Sequence, residues 1–234
     1  MGTLALRTAI GGALAVAALS AQAFSLTLTG QPAGAVNVSV AAPAATTAAG
    51  AFGGVLSGGS GFDANPFYTY CVELTQTFST GPNQLTGYSI VSGLSYFTGL
   101  PASAATVVDR LGKLFTSLGG VNLPGSATAS AAIQMAVWES IYEGTTNFGS
   151  VTAGGPGVFK HDASPNAAQQ AVITAANTLL LNAAAVTTNL YSISVLKNAD
   201  RQDFLLISRI PEPASLALVG LALAGLGFMR RRQA

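Results

Sequence analysis

Between residues 24 and 210 the hydrophobic pattern changes period twice, and that change limits the fold more than any single residue does. "FSLTLTG" and "GAVNVSV", on either side of a Gln31-Pro32 turn, alternate apolar and polar residues as half-buried strands do. Residues 41 to 61 are rich in Gly and Ala and read as loop with at most a short strand. "PFYTYCVELTQTF" is the strongest strand. It sets Phe67, Thr69, Cys71, Glu73 and Thr75 on one face and Tyr68, Tyr70, Val72 and Leu74 on the other. A turn at Gly81-Pro82-Asn83 leads to "QLTGYSIVS", the expected antiparallel partner. The spacing then becomes helical. Residues 101 to 118 carry Val107, Val108, Leu111, Leu114, Phe115 and Leu118 and stop at Gly119-Gly120. Residues 126 to 143 form a second helix, closed by Gly144. A third runs through "NAAQQAVITAANTLLLNA", with Ser164 as its N-cap and Pro165 in first position. "LYSISVLKN" and "DFLLISRI" return as a hairpin. Strands, helices, then strands predict an α+β fold: an antiparallel sheet or partly open barrel with an inserted helical subdomain over about residues 101–185.

The two ends are of another kind. Arg7, the apolar run Ala9 to Leu19 and the small-x-small site Ala21-Gln22-Ala23 have the layout of a signal peptide, predicting cleavage of residues 1–23 after Ala23. At the other end, residues 214–229 are apolar and Arg230, Arg231 and Arg232 follow at once. As a helix this run would cover about 24 Å, slightly less than a bilayer core of roughly 30 Å, with the arginines on the cytoplasmic side. It is expected to be a transmembrane helix. The domain 24–210 would then lie outside the inner membrane.

The terminal residues carry a resemblance. Pro211-Glu212-Pro213, an apolar helix and an Arg cluster, in that order over residues 211–234, resemble the PEP-CTERM sorting signal of Gram-negative bacteria. That resemblance implies recognition by an exosortase, an inner-membrane-tethered intermediate, and delivery to the cell surface or to an extracellular, exopolysaccharide-associated matrix. It addresses routing and leaves the cargo's role open.

With the ends set aside the charge balance changes sign. Of ten basic residues, Arg7 and Arg230 to Arg232 belong to the ends, which leaves six against eight acidic ones in the body. A mildly acidic body with no basic stripe excludes a nucleic-acid partner of the usual kind. Its one cysteine, Cys71, has no possible disulfide partner within the chain, which is unusual for an exported protein.

A second residue is out of place. On the helix 126–143, Ile133, Val137, Ile141, Gln134 and Trp138 fall within an arc of about 140°, with Met135, Glu139 and Glu143 on the other side. Gln134 is thus inside the apolar stripe, where an unpaired amide would cost about 1–3 kcal/mol. The bland answer is a core glutamine bonded to a neighbouring backbone.

The sharper answer rests on another resemblance. "YCV" at 70–72 and "IQMAVW" at 133–138 resemble the paired motifs of bacterial thioester domains of covalent surface adhesins. The resemblance implies a thioester between Cys71 and Gln134, with Tyr70, Val72 and Trp138 lining the site. A thiolate would displace ammonia from the glutamine amide. The product would then acylate an amine or other nucleophile on a partner surface, such as a lysine amine or a polysaccharide, in adhesion or matrix attachment. The chain would be a single-use cross-linker rather than an enzyme, with no cofactor, metal or catalytic residue. Glu73, two residues along the strand, points the same way as Cys71 and is a weaker member of the site, with a solvent-facing carboxylate as its default.

Other chemistries find less support. A cysteine hydrolase built on Cys71, His161 and Asp162 would take both base and orienting acid from neighbouring residues of a turn-rich loop, a poor basis for a triad. One Cys and one His make no metal-ligand spacing. No Gly-rich loop follows a strand in nucleotide-binding form. The surviving alternative is a non-covalent biofilm or exopolysaccharide-associated protein in which Cys71 is merely packed.

Overall fold

The computed structural model describes residues 24–58, 64–76 and 85–210. The proposed signal peptide with its cleavage site at Ala23, the turn at 81–83 and the whole terminal stretch 211–234, including the expected membrane helix 214–229, lie outside the described residues. Among the described residues no helix is long and apolar enough to cross a membrane.

The chain begins with β1 (Phe24–Gly30), β2 (Val36–Ala42), β3 (Ala44–Ala49), β4 (Phe52–Ser57), β5 (Ala64–Thr69) and β6 (Leu85–Ser92). Four helices follow: α1 (Gly93–Tyr96), α2 (Ala104–Ser117), α3 (Ala127–Tyr142) and α4 (Ala167–Ala184), with the two-residue strand β7 (Lys160–His161) before the last. The hairpin β8 (Tyr191–Lys197) and β9 (Phe204–Arg209) completes the domain. Six strands form one antiparallel sheet in the order β5-β4-β1-β6-β8-β9, and β3-β2-β7 form a second, smaller one.

The large sheet curls until its two outer strands meet. The Thr69 hydroxyl donates to the Leu205 carbonyl at 2.6 Å. Leu205 N–H donates to the Tyr70 carbonyl at 3.0 Å, Val72 N–H to the Asp203 carbonyl at 3.0 Å, and Cys71 bridges to Phe204. The result is nearly a barrel, which covers strand edges that would otherwise invite pairing with another chain. Its interior holds Leu26, Leu28, Leu56 and Phe67, with the Phe204 ring 6.0 Å from that of Phe52 and 6.1 Å from that of Tyr88.

Three expectations from the pattern need correction. Of the Gly/Ala-rich stretch 41–61, the described residues 41–58 are not loop, since they supply β3 and β4. Small residues serve there because strands approach closely: a Cβ on Gly54 would collide with the Thr27 carbonyl of the adjoining strand. The segment 85–92 does not pair with β5; it pairs with β1 and β8. Finally, the strong strand stops at Thr69, and residues 70–72 make an irregular seam in which Tyr70, Cys71 and Val72 are all buried. Packing on both sides of the seam removes the alternation expected of a one-faced strand.

The helices come close to their predicted bounds. Ser103 and Ser126 cap α2 and α3, each accepting a backbone N–H three residues on. The cap of α4 is Asn166 rather than Ser164. Its side chain accepts from Gln169 N–H while the Gln169 side chain accepts from Asn166 N–H, a capping box that a serine two residues earlier cannot form. Helix α3 has no solvent face: every residue from Ser130 to Ile141 is buried. It packs on α4, α2 and the smaller sheet together, so Met135 and Glu139, assigned to the side away from the apolar stripe, are enclosed as well.

Candidate functional site

The seam of the barrel faces α3, and that brings the chain's two unusual residues together. Cys71 N–H donates to Gln134 Oε1 at 2.9 Å, and Gln134 Nε2 donates back to the Cys71 carbonyl at 2.9 Å. The backbone groups on either side, the Tyr70 carbonyl and Val72 N–H, are already taken by Leu205 and Asp203. Gln134 therefore completes the ladder as a strand residue would, its primary amide standing in for a peptide group. Gln134 is fully buried and Cys71 is 8% exposed, so both bonds form away from bulk water, where they are strongest.

Around the pair lie residues that the motifs singled out and others that they did not. Tyr70 packs on Phe115, ring centres 5.9 Å apart. Trp138 is buried against Phe159 at 6.5 Å, and its Nε1 has no hydrogen-bond partner among the described residues. Val72 is buried, and its carbonyl accepts from the Tyr142 hydroxyl at 3.2 Å. A mostly apolar cavity of about 250 Å³ opens beside the pair, walled by Tyr70, Ile133 and the α2–α3 connection at Leu118, Leu123 and Pro124. Tyr70 and Ile133 are the residues immediately before Cys71 and Gln134.

The electrostatics come from carboxyl groups at the end of the seam. Burial pushes the Cys71 thiol well above its ordinary range, and the charge of Glu73 adds to this. Glu73 is not the solvent-facing carboxylate expected by default. Burial and the neighbouring Asp203 charge hold its carboxyl above the usual range, while the Asp203 backbone, the Tyr96 hydroxyl and Lys197 act the other way. Asp203 is raised by burial too, against hydrogen bonds from Tyr96 and Asn198. Asp203, Tyr96, Gln202 and Asn198 carried no motif; the signal available for Asn198, Gln202 and Asp203 was an Asn/Asp/Gln cluster between two strands, which reads as an ordinary turn.

His161 plays no part in this arrangement. It is buried on β7 in the smaller sheet, where Nε2 accepts Ser39 N–H at 3.3 Å and Nδ1 lies 3.1 Å from the Asp162 carbonyl. The expected loop histidine is thus an interior strand residue with both ring nitrogens engaged, and the Asp162 group it meets is a backbone carbonyl, not the carboxylate of a triad. Among the described residues no group of three or more His, Cys, Asp or Glu is placed to hold a metal ion.

A second acidic site lies further along α3. Glu139 is fully buried, accepts Gly149 N–H at 3.1 Å, and has its Oε2 without a partner among the described residues. Burial pushes its carboxyl up to about 7; the Glu143 charge adds to this, and the Gly149 and Ser150 N–H groups and Arg110 oppose it. Arg110 donates to the Glu143 and Gly144 carbonyls, each at 2.8 Å, and stacks over the Phe148 ring. It secures the end of α3 and the loop after it.

Residues 209–232 match the PEP-CTERM protein-sorting motif. The chain carries an exosortase sorting signal. That signal implies export, processing by an exosortase and sorting to the cell surface in Gram-negative bacteria, and the match takes in Pro211, Glu212, Pro213 and Arg230 to Arg232. No curated protein matches the chain. Among solved structures, the N-terminal domain of the Streptococcus pyogenes pilus tip adhesin Cpa is similar at 13% identity and a TM-score of 0.45, over 83% of this chain and 97% of that one.

Proposed function

We propose that the exported domain is a covalent surface or matrix attachment module whose reactive group is an internal thioester between Cys71 and Gln134. The observation that carries this reading is the pair of 2.9 Å hydrogen bonds that fix the Gln134 amide against the Cys71 backbone in a buried seam. The Cys71 N–H already donates to Oε1, so it polarises the amide carbonyl and stays on that oxygen as negative charge grows there. Attack by Sγ on the side-chain carbonyl carbon forms the S–C bond, breaks the C–N bond and releases the nitrogen as ammonia. Burial of both residues keeps water from the acyl group. An incoming amine, or a hydroxyl of a polysaccharide, then takes the acyl group and frees the thiol. The domain is thereby joined to its partner through the former Gln134 carbonyl. Tyr70, Val72 and Trp138 wall the site and serve to exclude water.

The sorting signal sets where this happens. In this reading the chain is held at the inner membrane by its apolar tail until an exosortase processes it, and the reactive domain then meets nucleophiles on the cell surface or in the extracellular matrix. Incubation of the mature domain with methylamine, followed by peptide mapping, tests the chemistry. An adduct at Gln134, absent from Cys71→Ala, is the expected result; an unmodified Gln134 would contradict it.

One observation favours a second reading. The Gln134 amide has a partner for its oxygen and its nitrogen, and burial keeps the Cys71 thiol protonated. On that view the pair is a structural lock, and the domain is a non-covalent biofilm or exopolysaccharide-associated protein. It predicts no adduct under the same conditions.

A further inference from the structure

Forming the thioester and opening it with an amine each require the transfer of one proton. Close by, Glu73 Oε2 is buried and has no hydrogen-bond partner among the described residues. Leaving such an oxygen unpaired costs about 1–3 kcal/mol. The backbone around it is held on several sides. Val72 N–H is tied to Asp203, the Val72 carbonyl to the Tyr142 hydroxyl, and the Glu73 carbonyl to Gln202 Nε2 at 3.1 Å. The Glu73 side chain therefore starts from a fixed point two residues beyond the thiol. The second carboxyl group, Asp203, is fully engaged: Tyr96 hydroxyl donates to Oδ2 at 2.7 Å and Asn198 N–H to Oδ1 at 2.6 Å. Of the two, only Glu73 has a carboxylate oxygen, Oε2, without a partner among the described residues. The titratable groups that face it are Cys71, Asp203, Tyr96, Tyr142 and Lys197.

We propose that Glu73 takes up and returns the proton in acyl exchange between Cys71 and Gln134, a role that rests on reading the pair as a thioester. In the forming step the thiol proton passes to the Glu73 carboxylate as the S–C bond is made. The carboxyl then gives that proton to the amide nitrogen as the C–N bond breaks, and ammonia leaves. In the coupling step the incoming amine loses a proton to Glu73 as its N–C bond forms, and Glu73 protonates the departing Cys71 thiolate. No other reactant is needed. Asp203 positions Glu73 and, by its charge, helps hold the Glu73 carboxyl above the usual range, nearer to the groups with which it exchanges protons.

The test uses the purified mature domain, with methylamine as the nucleophile and intact mass as the readout. Rate constants are referred to the free-base amine, so that ionisation of the reagent drops out. Wild type should show a rate that rises with pH as Glu73 ionises. Glu73→Gln should either lack the ammonia deficit or add methylamine about 100-fold more slowly with a flat profile. Glu73→Asp should recover part of the rate together with the sloping profile, which a merely structural contact would not do. Matching thermal melts of the three proteins show that the fold is intact; should Glu73→Gln fail to fold, the wild-type and Glu73→Asp profiles decide. A Glu73→Gln domain that carries the deficit and reacts at the wild-type rate at every pH overturns the proposal while leaving the thioester in place. So do flat wild-type and Glu73→Asp profiles. A wild-type domain of full mass overturns both.

Discussion

The chain has one cysteine and one histidine, both buried, and their surroundings differ in a way that bears on function. His161 lies on the smaller sheet with each ring nitrogen engaged by a backbone group. Its neighbourhood is complete. Cys71 lies on the barrel seam, where the backbone is satisfied by a glutamine side chain, and two residues along the chain Glu73 Oε2 has no partner among the described residues. Both residues are buried, and the contrast is in what remains unused around them. In the proposed reading the unmet oxygen serves the Cys71 chemistry, whereas the satisfied nitrogens of His161 stabilise the fold.

Substitutions at the three buried sites should differ in the size of their effect. Gln134→Ala should have the largest effect, about 3–5 kcal/mol in denaturant unfolding, because it opens a cavity and strands the Cys71 N–H and carbonyl inside the protein. It should also abolish amine uptake. Cys71→Ala keeps the backbone bonds and should cost only about 1–2 kcal/mol while abolishing uptake as completely. If the two variants were equally unstable, the side-chain ladder would not be the support described.

Glu139 gives the next effect. Its carboxyl is raised from 4.5 in the unfolded chain to about 7 in the folded one. The stability this protonated group provides is full below about 4.5 and is lost as pH rises through about 7, by at most about 3 kcal/mol. Unfolding measured across that window should show the fall, and Glu139→Gln should flatten it. A profile unchanged by the substitution would place the buried charge elsewhere. His161→Ala should cost about 2 kcal/mol from the stranded Ser39 N–H, with methylamine uptake unchanged. Loss of uptake would tie the histidine to the chemistry after all.

Much of this arrangement was legible in the sequence, and the parts that were not share a physical cause. Gln134 stood out because an amide inside an apolar stripe must be paired, and Cys71 because an exported thiol without a partner is unusual. Helices α2 and α3 followed from their period and their serine caps. The barrel closure did not, because Thr69 to Val72 meet residues 203–205, more than 130 positions away, through bonds that are backbone to backbone at Tyr70 and Val72 and leave no mark on side-chain pattern there. Strands β3 and β4 were hidden by the small residues that let them pack closely. Glu73 looked exposed because nothing local revealed that Asp203, Tyr96 and Gln202 would gather around it. Long-range enclosure, not local propensity, decided each of these.

Intact mass spectrometry of the purified mature domain decides whether Cys71 and Gln134 are joined. A mass lower by one ammonia than the sequence requires, with Cys71 unlabelled by thiol reagents in denaturant until amine has been added, is the predicted result. A domain of full mass whose Cys71 labels freely on unfolding, with no prior amine treatment, would contradict it.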